Sequence, residues 1–254
     1  MIFIKNNKEI DLMRESNRIV GGVLELMAQH IKPGVSTWEL DHIAEDYILS
    51  QGAVPSFKGY RIPGLEPFPA AICASVNDCI VHGIPAKDRI LKDGDLIGID
   101  VGAYKNNYHG DGARSFVVGE MNKKVEKLLT VTREALDRGM KMARSGNRIG
   151  DISWVIGSYV KENGFNVADD LTGHGIGRDM HEDPMIPNFG IEGKGPRIKA
   201  GMTLAIEPMV NIGTNMVIER GWEYFTADAS LSAHFENTIL VTDGEPEILT
   251  LPYN

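Results

Sequence analysis

Apolar residues near the start of the chain recur at helical spacing. In 8–30, KEIDLMRESNRIVGGVLELMAQH, positions Ile10, Leu12, Met13, Ile19, Val20, Val23, Leu24 and Met27 fall mostly on one side of a 3.6-residue repeat. This predicts an amphipathic helix, ended by Lys32-Pro33-Gly34. Ser36 and Thr37, followed by Glu39, supply start signals for a second helix that runs to about Ser50 and stops at Gly52. The arrangement then returns. Residues 123–143 read as a helix, Ser145-Gly146-Asn147 interrupts, and 149–162 reads as another helix that stops at Gly164. At an offset of 112, Gly34 matches Gly146, Tyr47 matches Tyr159 and Gly52 matches Gly164.

The strand-like segments repeat as well. LKDGDLIGID (91–100) lies over IKAGMTLAIE (198–207) at an offset of 107, which sets Gly94 on Gly201, Ile99 on Ile206 and Asp100 on Glu207. At an offset of 125, Asp111 meets Glu236 and Gly119 meets Gly244. Each half thus reads as two helices followed by strands, with two carboxylates at matching places. The expected class is α+β, with helices backing a curved, mostly antiparallel sheet. No linker divides the chain, so the expectation is a single domain over 1–254, with pseudo-repeat halves of about 1–120 and 121–254.

Composition narrows the function classes. The net charge of −9 argues against a phosphate-binding surface, and nucleic acid is not expected as a direct partner. Cys73 and Cys79 are the only cysteines, too few for a disulfide framework, and fit a reducing compartment. The opening MIFIKNNKEIDLM does not read as a signal peptide, and no segment reaches the ~20 apolar residues of a membrane span. A cytoplasmic protein is expected.

The acids carry the candidate chemistry. In DLIGIDVG, Ile97, Ile99 and Val101 share one strand face, and Gly98 and Asp100 share the other. Asn106-Asn107 is a natural turn centre, and a hairpin there would bring Asp100 close to Asp111. Two such carboxylates cannot both stay ionised without a cation, unless Asp111 caps a turn and Asp100 meets a buried arginine. Glu207 precedes Pro208 and is held extended, while Glu236 lies in the alternating strand SAHFENTILV. Taken singly, each glutamate reads as a strand-end surface residue. The pairwise repeat of all four acids strains that reading.

Among the histidines, His30, His42, His109 and His234 read as packing or surface residues. His82 ends a strand in CIVHGIP. His174 and His181 stand in TGHGIGRDMHEDP, where Gly173, Gly175 and Gly177 argue against a helix. Glycine there lets a ligand or another strand approach, and the expectation is that a peptide lies against this bare backbone. Two Asp, two Glu and one His are too hard a set for a structural zinc cage. They suit a pair of divalent ions ~3.5–4 Å apart, which points to hydrolysis.

The stretches VHGIP, IGIDVG…HGDGARSFVVG, TGHGIGRDMHEDP, LAIEPMV and SAHFENTILV resemble type I methionine aminopeptidase, in the family's order and over nearly the whole chain. The compact second half and the absence of a Cys/His-rich N-terminal extension resemble the bacterial form. The resemblance implies the pita-bread fold and removal of the initiator methionine from nascent chains whose second residue is small. It also implies two divalent ions (Mn, Fe, Co or Zn) held by Asp100, Asp111, His174, Glu207 and Glu236. A metal-bound water attacks the scissile carbonyl, with Glu207 as general base. His181 meets the carbonyl or oxyanion, and His82 meets the substrate amine or backbone and helps transfer the proton. Tyr60, Cys73 and Trp222 match positions of the methionine pocket. Asn77 matches a position where some members hold a structural monovalent cation. The resemblance further implies a monomer that works near the ribosome. The presence of all five candidate ligands argues against a non-catalytic relative. The chain departs from the family pattern at Phe57, where cysteine is commoner, at Met180, often aromatic, and at Asn237, often histidine. The pocket segment 59–73 is also several residues longer; with these departures it leaves room for a preference for another apolar N-terminal residue.

Overall fold

The computed structural model describes residues 1–251, so the last three positions of the expected second half lie outside the described residues. Helix α1 (Asn7–His30) starts at a capping box formed by Asn6 and Glu9. Helix α2 (Thr37–Ser50) starts at another, in which the Ser36 hydroxyl accepts from the Glu39 N–H and the Glu39 carboxylate accepts from the Ser36 N–H. Five strands follow: β1 (Val54–Pro55), β2 (Ile72–Val76), β3 (Cys79–Val81), β4 (Leu96–Lys105) and β5 (Tyr108–Val117). Helices α3 (Lys123–Met142) and α4 (Ile149–Glu162) open the second half. Strands β6 (Asn166–Val167), β7 (Thr172–Gly175), β8 (Glu182–Pro187), β9 (Thr203–Ile206) and β10 (Met209–Asn211) come next. The remainder are β11 (Val217–Arg220), β12 (Glu223–Thr226), β13 (Ser232–His234), β14 (Glu236–Leu240) and β15 (Glu247–Ile248). No helix among the described residues is long and apolar enough to cross a membrane.

The main sheet runs β1-β4-β5-β14-β9-β7-β8, with β2 also on β4 and β15 also on β14, and its pairings are antiparallel. Ile19, Val23 and Leu24 of α1 pack with Ile97, Ile99 and Val101 of β4 in one core. Leu128 of α3 and Ile152 and Ile156 of α4 pack with Leu204, Ile206 and Ile239 in another. The sequence expectation of α+β, with helices behind an antiparallel sheet, stands.

The repeat is visible in the hydrogen bonds. Gly34 N–H donates to the Leu91 carbonyl at 2.8 Å and Leu91 N–H to the Val35 carbonyl at 2.8 Å. The counterparts are Gly146 to Ile198 at 3.1 Å and Ile198 to Asn147 at 2.8 Å. Gly34 and Gly146 share a left-handed backbone, with φ of +91° and +99°, which only glycine adopts cheaply. The same bonding pattern thus recurs at these two matched positions.

One strand is shorter than the repeated segment that contains it. The strand-like repeat segment 91–100 is strand only from Leu96, where β4 begins, close to the start of the strand read in DLIGIDVG. Lys92–Asp95 is a tight turn instead, closed by the Asp95 carboxylate accepting from the Lys92 N–H at 2.8 Å and turned by Gly94 at φ +85°. Likewise β9 covers only Thr203–Ile206 of the matching 198–207.

Candidate active site

The hairpin of β4 and β5 turns at Asn106 and Asn107, both with positive φ (+52° and +66°). Its register sets Gly102 opposite Asp111 and Asp100 opposite Ala113, so the two aspartates stand diagonally on one face. Strand β14 pairs Glu236 with Ala113 on one side and Asn237 with Ile206 on the other. Glu207 follows Ile206 directly, and His174 in β7 pairs with Ala205. Asp100, Asp111, Glu236, Glu207 and His174 thus occupy or adjoin five consecutive strands of one sheet.

Side-chain geometry tightens this row. His174 Nε2 lies 3.5 Å from Asp111 Oδ2 and 3.6 Å from Glu207 Oε1. Ligand atoms of Asp111, His174 and Glu236 fall within 4.8 Å of one another, as do those of Glu207, His234 and Glu236. Asp100 belongs to neither triple but lines the same cavity. Because the carbonyl of Gly175 can only accept, its 2.9 Å contact puts a His174 proton on Nδ1 and leaves Nε2 as the nitrogen that faces the carboxylates, whose charge, against the opposing effect of burial, raises the pKa of the imidazole.

The electrostatics call for cations. Burial first, then Asp111 and Glu207, push the Asp100 carboxyl well above its ordinary range. Burial, then Asp111, Glu207 and Asp100, do the same to Glu236. Asp111 is raised by burial, with His174 pulling it partly back. Burial also works upward on Glu207, but His234, His174 and His181 outweigh it and hold this carboxyl below its usual value. Asp100 Oδ1, Asp111 Oδ1 and Glu236 Oε1 are buried without a hydrogen-bond partner, and no lysine or arginine lines the cavity among the described residues. Buried anionic oxygens this close need metal or protons, and the donor set fits hard divalent ions.

Of the two uses expected for the glycines around His174, approach of a ligand or of another strand, the second is seen. A Cβ on Gly173 would sit 2.4 Å from the Ala205 carbonyl oxygen, and one on Gly175 would sit 2.2 Å from that of Asp183. The space beside Gly177 is filled by Glu182 and Lys5. The molecule's own neighbouring strands and side chains lie against this bare backbone.

His82 follows β3 at φ +58°, with its Nδ1 buried and unpartnered and its ring 5.5 Å, edge-on, from Tyr224. Burial pushes its pKa down. His181 is pushed down to about 4, by burial first and by His174 next. Its ring meets that of His174 at 4.5 Å, and its Nδ1 lies 2.8 Å from the Tyr60 hydroxyl. Burial and Asp179 raise the Tyr60 phenol, which keeps its proton.

A cavity of about 330 Å³ is lined both by the carboxylates and by Phe57, Tyr60, Ile62, Phe68, Cys73 and Trp222, with Cys73 opposite Asp100 in the β2–β4 register. Trp222 packs edge-on to Phe68 at 5.4 Å, and its Nε1 donates to the Glu66 carbonyl at 2.8 Å, which ties down the long 59–73 segment. Met180 lines the same cavity. A second cavity of about 550 Å³ shares His82, His174, His181 and Glu207 and extends past Phe3, Asp179 and Met185. Asn77 lies apart, at φ +59°, with its carbonyl accepting from the Ser232 N–H at 3.0 Å.

Sequence reasoning set aside one residue that the fold brings into the cluster. His234 is buried, with Nε2 3.4 Å from Glu207 Oε2. Its spacing of two from Glu236 was the available signal. Phe68 and Tyr224 were also unforeseen, because aromatic residues without a motif look like ordinary core.

Residues 11–243 match the model of metallopeptidase family M24. The chain is 49% identical over 253 residues to a methionine aminopeptidase of Clostridium acetobutylicum, covering 99% of each sequence. It superposes on the crystal structure of a Thermotoga maritima methionine aminopeptidase with a TM-score of 0.95 and 42% identity, covering 99% of this chain and 100% of that one. A prolidase of Pyrococcus furiosus shares the fold at a TM-score of 0.80 and 24% identity, covering 99% of this chain and 66% of that one. The architecture is the pita-bread fold.

Proposed function

Because the chain belongs to metallopeptidase family M24 and, within it, to the methionine aminopeptidases, we propose that it hydrolyses the initiator methionine from nascent polypeptides whose second residue is small. The carrying observation is the row of five side chains on adjacent strands, with carboxylate oxygens left unpartnered in a buried cavity.

In this reading Asp100, Asp111, His174, Glu207 and Glu236 hold two divalent ions drawn from Mn, Fe, Co or Zn. When bound, such ions polarise a carbonyl and make a neighbouring water more acidic. The protein's own groups do the rest. Glu207, whose carboxyl His234 above all draws down against the effect of burial, takes the proton from the attacking water and passes it to the leaving amine. His181, uncharged at neutral pH, offers an N–H to the carbonyl oxygen as negative charge develops there. His82 contacts the substrate amine or backbone and helps move the proton. Tyr60, Cys73 and Trp222, with Phe57 and Phe68, surround the methionine side chain, whose flexible thioether suits an aromatic wall. The larger cavity takes the downstream peptide. Both halves act as one catalytic domain, since each supplies two of the four acids. A cytoplasmic monomer that meets nascent chains near the ribosome, with a structural monovalent cation at Asn77, completes the reading.

A panel of X-Ala peptides, assayed with each of the four metals, tests it. Methionine should be preferred at the first position, a chelator should abolish cleavage, and metal should restore it. Glu207→Gln should lose about a hundredfold or more in kcat while peptide still binds. Metal-free protein cleaving as fast as loaded protein would refute the metal chemistry. A clear preference for leucine or proline would move the substrate elsewhere.

A further inference from the structure

We propose that Tyr60 is a positioning residue whose hydroxyl donates to Nδ1 of His181 and so keeps the His181 proton on Nε2, where it faces the reacting carbonyl. The inference deepens the aminopeptidase reading and rests on it for the reaction, but the proton's position can be measured without any turnover.

The contact is 2.8 Å long and joins residues far apart in sequence. An uncharged imidazole carries one N–H, so two arrangements are open: the phenol donates to Nδ1, or Nδ1–H donates to the phenol oxygen. Chemistry favours the first. A phenolic O–H is a good donor and its oxygen a poor acceptor, because the lone pair is delocalised into the ring. An imidazole lone pair is the stronger base. The Tyr60 hydroxyl has no other hydrogen-bond partner among the described residues, so no other protein group there competes for its proton.

The neighbouring ring gives a contrast. His174, with its centroid 4.5 Å from that of His181, has its Nδ1 against the Gly175 carbonyl. A carbonyl only accepts, so His174 carries its proton on Nδ1 and offers a lone pair from Nε2. A hydroxyl at Nδ1 of His181 reverses this. Two adjacent imidazoles are thereby set in opposite tautomers: one to bind a cation, the other to donate to a developing oxyanion.

The backbone holds Tyr60 for this task. Gly59 N–H donates to the Phe68 carbonyl at 2.8 Å, and Phe68 N–H donates to the Tyr60 carbonyl at 2.9 Å. Together with the Trp222 bond to Glu66, these close the long segment on itself. Tyr60 also lines the cavity beside Phe57, Phe68 and Trp222. One side chain therefore touches both the substrate side-chain pocket and His181.

Long-range proton–nitrogen NMR on zinc-loaded protein with 15N-labelled histidine reads the tautomer directly, with His181→Gln used to assign the signal. The wild type should show His181 with bare Nδ1 and protonated Nε2. In Tyr60→Phe, which keeps the ring as a pocket wall, the His181 signals should move toward a mixture of tautomers. The kcat should fall about tenfold, with KM within about twofold and zinc stoichiometry unchanged. A protonated Nδ1 on His181 in the wild type overturns the proposal. So does a Tyr60→Phe protein with unaltered His181 signals. If no methionyl peptide is cleaved but the tautomer is as stated, the aminopeptidase reading fails while the Tyr60 lock survives.

Discussion

His234 Nε2 lies 3.4 Å from Glu207 Oε2 and has no hydrogen-bond partner of its own. The two are brought together by β10 and β13, which pair Met209 with His234. The His234 backbone is clamped by Ser115, whose hydroxyl accepts from its N–H and donates to its carbonyl, each at 2.9 Å. After burial, this imidazole is the largest influence on the Glu207 carboxyl. His234→Ala should therefore cut kcat on a methionyl-alanyl peptide by about tenfold or more, with little change in KM. His234→Gln, which restores a donor, should recover part of the loss. Steady-state kinetics of the two variants decide the matter, and equal kcat in all three proteins would remove His234 from the site.

Asp100 stands among buried acids, and no lysine or arginine lines their cavity among the described residues. Asp100→Asn should make metal-free protein more stable by ~1–2 kcal/mol, because a repulsive partner is gone. The same change should shrink the stabilisation on adding metal, which for the wild type should reach ~2.7 kcal/mol at a hundred times Kd. Thermal unfolding of both proteins, with and without metal, should show the two effects with opposite signs. A less stable metal-free variant would contradict the argument.

Gly175→Ala should be far costlier than Gly34→Ala. A Cβ at 175 meets a backbone oxygen at 2.2 Å, whereas at 34 nothing lies within 4 Å and only the positive φ is strained. The expected losses are ~3 kcal/mol or more against ~1 kcal/mol. Because His174 adjoins Gly175, the first variant should also bind metal more weakly, and calorimetric titration would show it. Comparable denaturation midpoints for the two variants would mean that β7 and β8 can separate freely.

Arg14 grips Glu247 with two hydrogen bonds of 2.8 and 2.7 Å, tying α1 to β15. Those bonds hold the Glu247 carboxyl below its usual value of 4.5. A depressed carboxyl contributes stability that is present above the unfolded-state pKa and is lost as pH falls through the folded-state value. For this partly exposed pair the contribution should be ~0.5–1 kcal/mol. Unfolding midpoints from pH 7 to pH 3 should fall less steeply for Glu247→Gln than for the wild type. Parallel curves would show the pair contributes nothing.

Much of the fold was legible locally. The helix at 8–30, the Ser36–Glu39 cap and the Asn106-Asn107 turn each depend on residues a few positions apart, and each occurs as read. Asp100 and Asp111 could be brought together on paper because one tight turn joins their strands. Placing Glu236 and Glu207 beside them was different. It required β14 to enter between β5 and β9, which no short-range signal specifies. The glycines flanking His174 looked like room for a ligand because their real neighbours, Ala205 and Asp183, are distant in sequence or beyond a turn. His234 looked inert for the same reason.

By itself the sequence determined the periodicities, the caps and the motifs of the family to which the chain belongs. These follow from side-chain type and near-neighbour sterics, which are properties of short segments. The tertiary structure alone decided the order of the strands, what fills the faces of the glycines, and which side chains each imidazole meets. Those depend on contacts between distant segments, chosen by which apolar faces the whole chain buries together, and no stretch of residues carries that information alone.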